Sequence, residues 1–221
     1  MEIEESIFWI GHARFYIKTN AGNVFIDPFK VNDTFSEKAD LVLVTHDHFD
    51  HHSASDIGKV RKPDTKFIAA NNCLKGERNL IAVAKPGSSI DFKGVKVTAV
   101  PAYNLRDERL KFHPKSENWV GYIIETGGRR IYHAGDTDLI PEMGSLENID
   151  VALLPCGGTY TMSLDEAAKA ADRIKPRTVV PMHYKMLLGK EKSEELESNA
   201  KSLIGNARIM KEVQSPLYSF E

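Results

Sequence analysis

The chain is short of several things, and each shortage narrows its class. It holds two cysteines, Cys73 and Cys156. That is too few for a disulfide framework and fits a reducing compartment. Neither sign of charge dominates: 29 Lys and Arg face 31 Asp and Glu, a formal net charge of −2. No global basic field exists to hold nucleic acid, so no nucleic-acid partner is expected. No apolar run approaches the ~18 residues of a membrane span. The start, Met1 to Glu5, is acidic and lacks the apolar core of a secretory signal, so a cytoplasmic location is expected. Low-complexity tracts are absent, and 42% hydrophobic with 27% charged residues is ordinary globular composition. Disorder and fibrous classes are excluded. So are a phosphate-cradling GxxxxGK[ST] loop and a Ser-His-Asp or Cys-His arrangement of recognisable spacing.

What remains is a chain of 221 residues without a long linker, read as one domain over residues 1–221. Strands are expected at Ile7–Ile10, Arg14–Lys18 and Asn23–Asp27, the last two joined at Asn20 to Gly22. Asp40–Thr45 carries four successive apolar residues and suits a strand covered on both faces. A helix over Ser53–Val60 follows. Lys66–Ala70, Ser89–Phe92 and Val95–Pro101 read as strands. Ala102–Glu117 has no period and is long for an irregular segment, as functional lids are. Strands resume at Trp119–Glu125, Arg130–Ala134, Asp150–Pro155 and Arg177–Pro181. Ser163 and Glu166 form a capping box for a helix that stops at Pro176. A helix over Ser193–Ile204 and closing strands at Arg208–Val213 and Pro216–Phe220 complete the reading. The order places sheets in the middle and helices outside. Val24–Asp27 and Arg130–Asp136 are alike enough to hint at two similar halves.

Four of the eight histidines fall between His46 and His52. His46, His48, Asp50 and His51 form an H-x-H-x-D-H pattern just after a buried strand. A loop at a strand end can fan four such side chains towards adjacent ions, which a regular helix or strand cannot. Imidazole nitrogen and carboxylate oxygen suit zinc, iron and manganese. A polar loop with chance histidines is the bland alternative. His52 falls outside the pattern. Asp136 ends a strand, where it would either bridge two metals or make a turn after Gly135. His183 follows another buried strand, as a ligand or as a core histidine. Asp27 either holds the ligand loop by hydrogen bonds or makes a plain turn before Pro28. His12 reads as a partner of a ligand or a buried strand-end histidine, and Cys156 as a small buried hydrophobe.

These residues resemble the metallo-β-lactamase fold superfamily. Trp9 to Ala13, Phe25 to Pro28, the H-x-H-x-D-H cluster, Tyr132 to Asp136, Leu154 to Gly158 with Tyr160 to Met162, and Pro181 to Tyr184 carry the likeness. It extends over nearly the whole chain and is nearest to the branch of L-ascorbate-6-phosphate lactonase-like hydrolases. The resemblance implies an α/β (α+β) fold, an αββα sandwich of two mixed sheets packed face to face with helices outside. The site would lie at one edge between the sheets. It implies one metal site from His46, His48 and a third residue, a second from Asp50, His51 and His183, and Asp136 bridging the two. The family's third ligand is a histidine where this chain has Asn104. Three alternatives stand: Asn104 ligates weakly, His113 swings in from the loop, or one ion suffices.

The resulting expectation is a metal-dependent hydrolase with one or two zinc ions, manganese being the alternative. Asp50 or Asp136 would hold the nucleophilic water, whose pKa the cations lower. A lid cation or His113 would stabilise the developing oxyanion. The substrate would be a small anionic ester, lactone or phosphodiester. Arg106, Arg109, Lys111 and Lys115 would either meet its anionic group or form a solvated loop of mixed charge. The alternative is a non-catalytic metal-binding or redox member of the same fold.

Overall fold

The computed structural model describes residues 6–213. Two six-stranded mixed sheets face each other. The first runs, in spatial order, β1 (Ile7–Gly11), β2 (Arg14–Thr19), β3 (Gly22–Ile26), β4 (Ala39–Val44), β5 (Arg61–Ala70) and β6 (Leu80–Ala84). The second runs from β7 (Ser89–Phe92) through β8 (Val95–Pro101), β9 (Val120–Thr126), β10 (Arg129–His133) and β11 (Val151–Pro155) to β12 (Thr178–Met182). Each sheet begins as an antiparallel meander and turns parallel, at β3 to β4 and at β10 to β11. The likeness between Val24–Asp27 and Arg130–Asp136 therefore marks equivalent switch points of two similar halves.

The core is continuous between the sheets. Trp9, Phe15, Leu41, Leu43, Tyr122, Ile131 and Leu153 are all buried in one cluster. Polar ties cross it: the Tyr122 hydroxyl donates to the Val44 carbonyl at 2.8 Å, and His133 Nε2 donates to the Ala13 carbonyl at 2.8 Å. Strand β4 is buried over Leu41 to Val44, which explains its unbroken apolar run.

The helices are α1 (Ala54–Val60), α2 (Leu164–Ile174) and α3 (Lys185–Leu203). Ser53 caps α1. Ser163 and Glu166 close the full capping box on α2, which buries Ala167, Ala170, Ala171 and Ile174 and ends at Lys175 in the left-handed region before Pro176. The expected helix over Ser193–Ile204 starts earlier, at Lys185, with a kink at Gly189, whose φ of 73° an L-residue rarely adopts. Strand β6 was not expected. It is an edge strand whose Ile81 and Val83 face outward, so its apolar-throughout sequence hides the alternation. Arg208–Val213 is not a strand. It is irregular and tied by single bonds, Arg208 N to the Val179 carbonyl and Val213 N to the Trp9 carbonyl. Pro216–Phe220 lies outside the described residues.

Candidate metal centre

The carboxyl ends of β3, β4, β10 and β12 deliver Asp27, the His46–His51 loop, Asp136 and His183 to one edge of the sandwich. Ligand sites of open α/β sheets lie at such ends, beside a switch from one strand order to the other. Within the loop, the amides of His51 and His52 both donate to the His48 carbonyl, at 3.0 and 2.8 Å. That tight turn folds Asp50 and His51 back over His46 and His48, and Ser53 then starts α1.

The structure brings nitrogen and oxygen atoms together in three overlapping groups: His46, His48 and His113; His46, His51 and Asp136; and His12, Asp50, His51 and His183. In each, the ligand-type atoms lie within 4.8 Å of one another. Asp136 sits between the two halves. Its Oδ2 is 2.9 Å from His183 Nε2 and 3.4 Å from His113 Nε2, and its Oδ1 is 3.4 Å from His51 Nε2.

The backs of the rings are held. Asp27 Oδ1 accepts from the Thr45 amide at 2.8 Å; its Oδ2 accepts from the Thr45 hydroxyl at 2.6 Å and from His51 Nδ1 at 2.8 Å. Thr45 Oγ1, its proton given to Asp27, accepts from His46 Nδ1 at 2.9 Å. Both rings are thereby set as tautomers with Nε2 bare and facing inward. His113 is set the same way, because its Nδ1 lies 2.8 Å from Asn104 Oδ1. Asn104 gives its amide group to the Tyr160 carbonyl at 3.0 Å. Both ends of the Asn104 side chain are therefore occupied, and it stands behind His113 instead of among the clustered atoms. Of the three alternatives for the third residue, His113 is the one whose nitrogen joins His46 and His48.

His12 joins as well. It lies in the left-handed region, φ 52°. Its carbonyl accepts from Trp9 Nε1 and from the His183 amide, and its Nε2 donates to Asp50 Oδ2 at 3.0 Å. Trp119, which the sequence reading passed over, walls the other side, its ring 5.0 Å from His46 and 4.8 Å from His48. His52 stands apart, bonded to Asp47 Oδ1 at 2.7 Å. Cys156 is buried, its thiol donating to the Met182 carbonyl.

The loop over residues 102–117 is pinned shut. The Asn104 amide donates to the His113 carbonyl at 2.8 Å, which closes the loop and presents His113. Arg109, only 5% exposed, pairs with Asp138 at 2.7 Å and Glu166 at 2.9 Å. Arg106 pairs with Glu108 and Glu166, and Lys115 with Glu142. Three of the four loop cations thus neutralise carboxylates of the protein and Lys111 lies over the Phe112 ring at 5.0 Å, which favours the mixed-charge reading of the loop over one in which the paired cations meet a substrate anion. Asp138 also accepts from the amides of Leu105 and Arg106, a structural role the sequence reading did not assign.

The electrostatics ask for a cation. Among the described residues, the ion pairs of Asp27, Asp50 and Asp136 are all with histidines. Burial opposes ionisation of Asp136, yet His183 and His51 beside it hold its carboxyl well below the usual range. Burial, with His51 beside it, holds His46 well below its ordinary value; burial and His113 lower His48. Burial, with His183 next to it, takes His12 down to about 3. Burial disfavours charge on His51 too, but Asp136 and Asp27 on either side outweigh it and raise that group. Imidazoles held neutral at His12, His46 and His48, with carboxylates whose field already draws a positive charge onto His51, make a ligand set for a divalent ion. Most tellingly, the buried atoms His51 Nε2, His113 Nε2, His183 Nε2 and Asp136 Oδ1 have no hydrogen-bond partner. The three nitrogens lie 2.9–3.4 Å from Asp136 without an aligned hydrogen bond, an arrangement that fits a metal ligated by all four residues.

Comparison with known proteins agrees with this geometry. The profile of a family described as a beta-lactamase superfamily domain matches residues 6–183. A UPF0173 metal-dependent hydrolase of Thermoplasma acidophilum is 34% identical over 96% of this chain and 97% of its own. One from Nanoarchaeum equitans is 38% identical over 80% of this chain and 83% of its own. Among solved structures, a Parabacteroides distasonis protein superposes with a TM-score of 0.81 at 38% identity, covering 94% of this chain and 93% of that one. Igni18, described as a metallo hydrolase of Ignicoccus hospitalis, gives 0.71 at 25% identity over 93% and 94%. The narrower likeness to the ascorbate-phosphate lactonase branch gains nothing from these relatives.

Proposed function

This chain belongs to the metallo-β-lactamase superfamily as a metal-dependent hydrolase, and from that premise we propose that it cleaves a small anionic ester, lactone or phosphodiester at a two-ion centre. His46, His48 and His113 would hold one ion, and Asp50, His51 and His183 the other, with Asp136 shared. Zinc, or manganese in its place, would supply a Lewis acid and a water of near-neutral pKa. The observation that carries the reading is the set of inward-facing orphaned atoms on His51, His113, His183 and Asp136.

The chain's own residues have distinct tasks. Asp27, Thr45 and Asn104 fix tautomers. Asp50 orients the attacking water, with His12 holding the carboxylate in place at 3.0 Å. Trp119 keeps bulk water from the His46 and His48 side. Held on Asn104 through Nδ1 and on the ion through Nε2, His113 would be a ligand and would have no N–H left for the developing oxyanion. The redox alternative is disfavoured by the names of the relatives cited above, which are metal-dependent hydrolases.

The test is a panel of aryl esters, lactones and bis(aryl) phosphodiesters assayed on zinc-loaded and manganese-loaded protein. Turnover of one class, abolished by a chelator and restored by the ion, is expected. Metal uptake with no turnover of any class would favour the non-catalytic reading.

A further inference from the structure

His52 is the loop histidine that the two-ion centre leaves over, and it does not stand alone. The turn that gathers Asp50 and His51 onto His46 and His48 sets Asp47 and His52 together against the turn at residues 71–76, which follows β5. Two contacts fix that placement. His52 Nδ1 donates to Asp47 Oδ1 at 2.7 Å, and His52 Nε2 accepts from the Leu74 amide at 3.4 Å. Cys73 stands in the same turn. A carboxylate oxygen of Asp47, a ring nitrogen of His52 and Cys73 Sγ lie within 4.8 Å of one another. None of these three residues belongs to the groups that make up the centre.

Little else competes for these atoms. Among the described residues, the ion pair of Asp47 is with His52 alone. The Cys73 sulfur has one polar contact, 3.9 Å to the Asn71 carbonyl, and a thiol is a weak donor. The bond from the Leu74 amide is long. The side chains of Asp47 and His52 are 45% and 20% exposed while Cys73 is buried, so an ion can enter from solvent and meet the sulfur at the bottom. Burial, with Asp47 and Asp27 nearby, pushes the Cys73 thiol up. A thiol so placed is inert as a nucleophile, which sets aside a Cys-His-Asp catalytic group. The same two carboxylates favour a cation beside the sulfur.

We propose that Asp47, His52 and Cys73 form a third metal site, separate from the two-ion centre, for a borderline or soft divalent ion such as zinc or cadmium. Thiolate, imidazole and carboxylate together suit such ions, and a water completes four-coordination. The ion takes the place of the Cys73 Sγ proton, which passes to the buffer. Thiolate and carboxylate then match its two charges. Because that proton must be displaced in apolar surroundings, this site is the weakest of the three. It fills after the centre and empties when free ion is removed. Filled, it ties the loop that carries His46, His48, Asp50 and His51 to the turn after β5, and so braces the centre from behind.

Cobalt(II) is the probe that tests it. Thiolate-to-cobalt charge transfer gives a near-ultraviolet band that histidine and carboxylate ligands do not give, and among the described residues no cysteine joins the groups of the centre. Titration of the full chain should develop this band once the centre is filled, and added zinc or cadmium should bleach it. Cys73→Ser should abolish the band, and Cys156→Ser should retain it. Asp47→Asn and His52→Ala should each shift its midpoint to higher cobalt. All four variants should keep the visible ligand-field absorption of cobalt in the centre, which shows that they fold and load. Should Cys73→Ser fail to fold, the two substitutions on the solvent side carry the test. A native chain that never develops the band, a band that survives Cys73→Ser, or a midpoint unmoved by both Asp47→Asn and His52→Ala would overturn the third site and leave the two-ion centre standing.

Discussion

Asn104→Ala probes whether an amide behind a histidine sets a metal site. In the native chain the Asn104 side chain makes two bonds, 2.8 Å from His113 Nδ1 and 3.0 Å to the Tyr160 carbonyl. Truncation leaves the buried His113 Nδ1–H without an acceptor, which costs about 1–3 kcal/mol of folding stability. It also frees the ring to adopt the other tautomer, which points a proton at the metal. Loss of such an outer partner lowers metal affinity by about 10–100-fold, or about 1.4–2.8 kcal/mol. Asn104→Asp retains the acceptor for His113 but sets a carboxylate oxygen against the Tyr160 carbonyl. It should keep most of the metal affinity and lose stability. Chelator-competition titration with zinc, paired with thermal melts of the metal-free proteins, separates the two effects. His113→Ala should remove the first site outright. If Asn104→Ala binds zinc with native affinity while His113→Ala does not, the ring needs no orienting group and the reasoning fails. If His113→Ala also binds natively, His113 is not a ligand.

Other consequences are as direct. Asp27→Asn leaves one oxygen where two accept, so its amide nitrogen must face either the Thr45 amide or both the Thr45 hydroxyl and His51 Nδ1; the hold on His51 should loosen and the second site lose about 10–100-fold in affinity, read by the same titration. At Gly157 an added Cβ would lie 2.3 Å from the His183 carbonyl and 2.7 Å from Leu187 Cδ1. Gly157→Ala should therefore displace His183, lower stability by about 1–3 kcal/mol and weaken metal binding, both measurable in a melt with and without zinc. Away from the centre, burial works against the charged form of Asp56, but Ser53, Lys59 and the amides of Lys30 and Val31 hold its carboxyl below the ordinary 3.8. A carboxyl lowered in the folded state stabilises above its ordinary value, and that stability is lost as pH falls through the folded value. Urea midpoints of the native chain should drop on acidification below 3.8 more steeply than those of Asp56→Ala.

Local signals in the sequence reached far into this site, and non-local ones did not. His46, His48, Asp50 and His51 are legible because one tight turn after β4 holds them all. Asp136 and His183 are legible as polar residues at the ends of apolar strands. The choice between Asn104 and His113 was not, because it depends on the loop closing on itself and on Arg109 reaching Asp138 and Glu166, contacts that span 29 and 57 residues. Trp119 reads as an ordinary first strand residue until the ring is seen against His46. Asp138 sits in the same short motif as Asp136, and nothing in the spacing separates a shared ligand from a loop anchor. In the fold, the capping box at Ser163 identifies α2, whereas β6 lacks any polar alternation and the kink at Gly189 masks the start of α3. The Arg208–Val213 segment has strand-like composition but pairs through single bonds, so composition misled there.

The central claim is a two-ion centre joined through Asp136, and metal count per chain tests it most directly. Protein purified without added metal, then titrated with zinc and analysed by elemental analysis after removal of free ion, should bind two ions per chain. Asp136→Ala should lose affinity at both sites together, since removing the shared carboxylate leaves both charges less compensated. No uptake of zinc or manganese by the native chain, or two ions held undiminished by Asp136→Ala, would contradict the account.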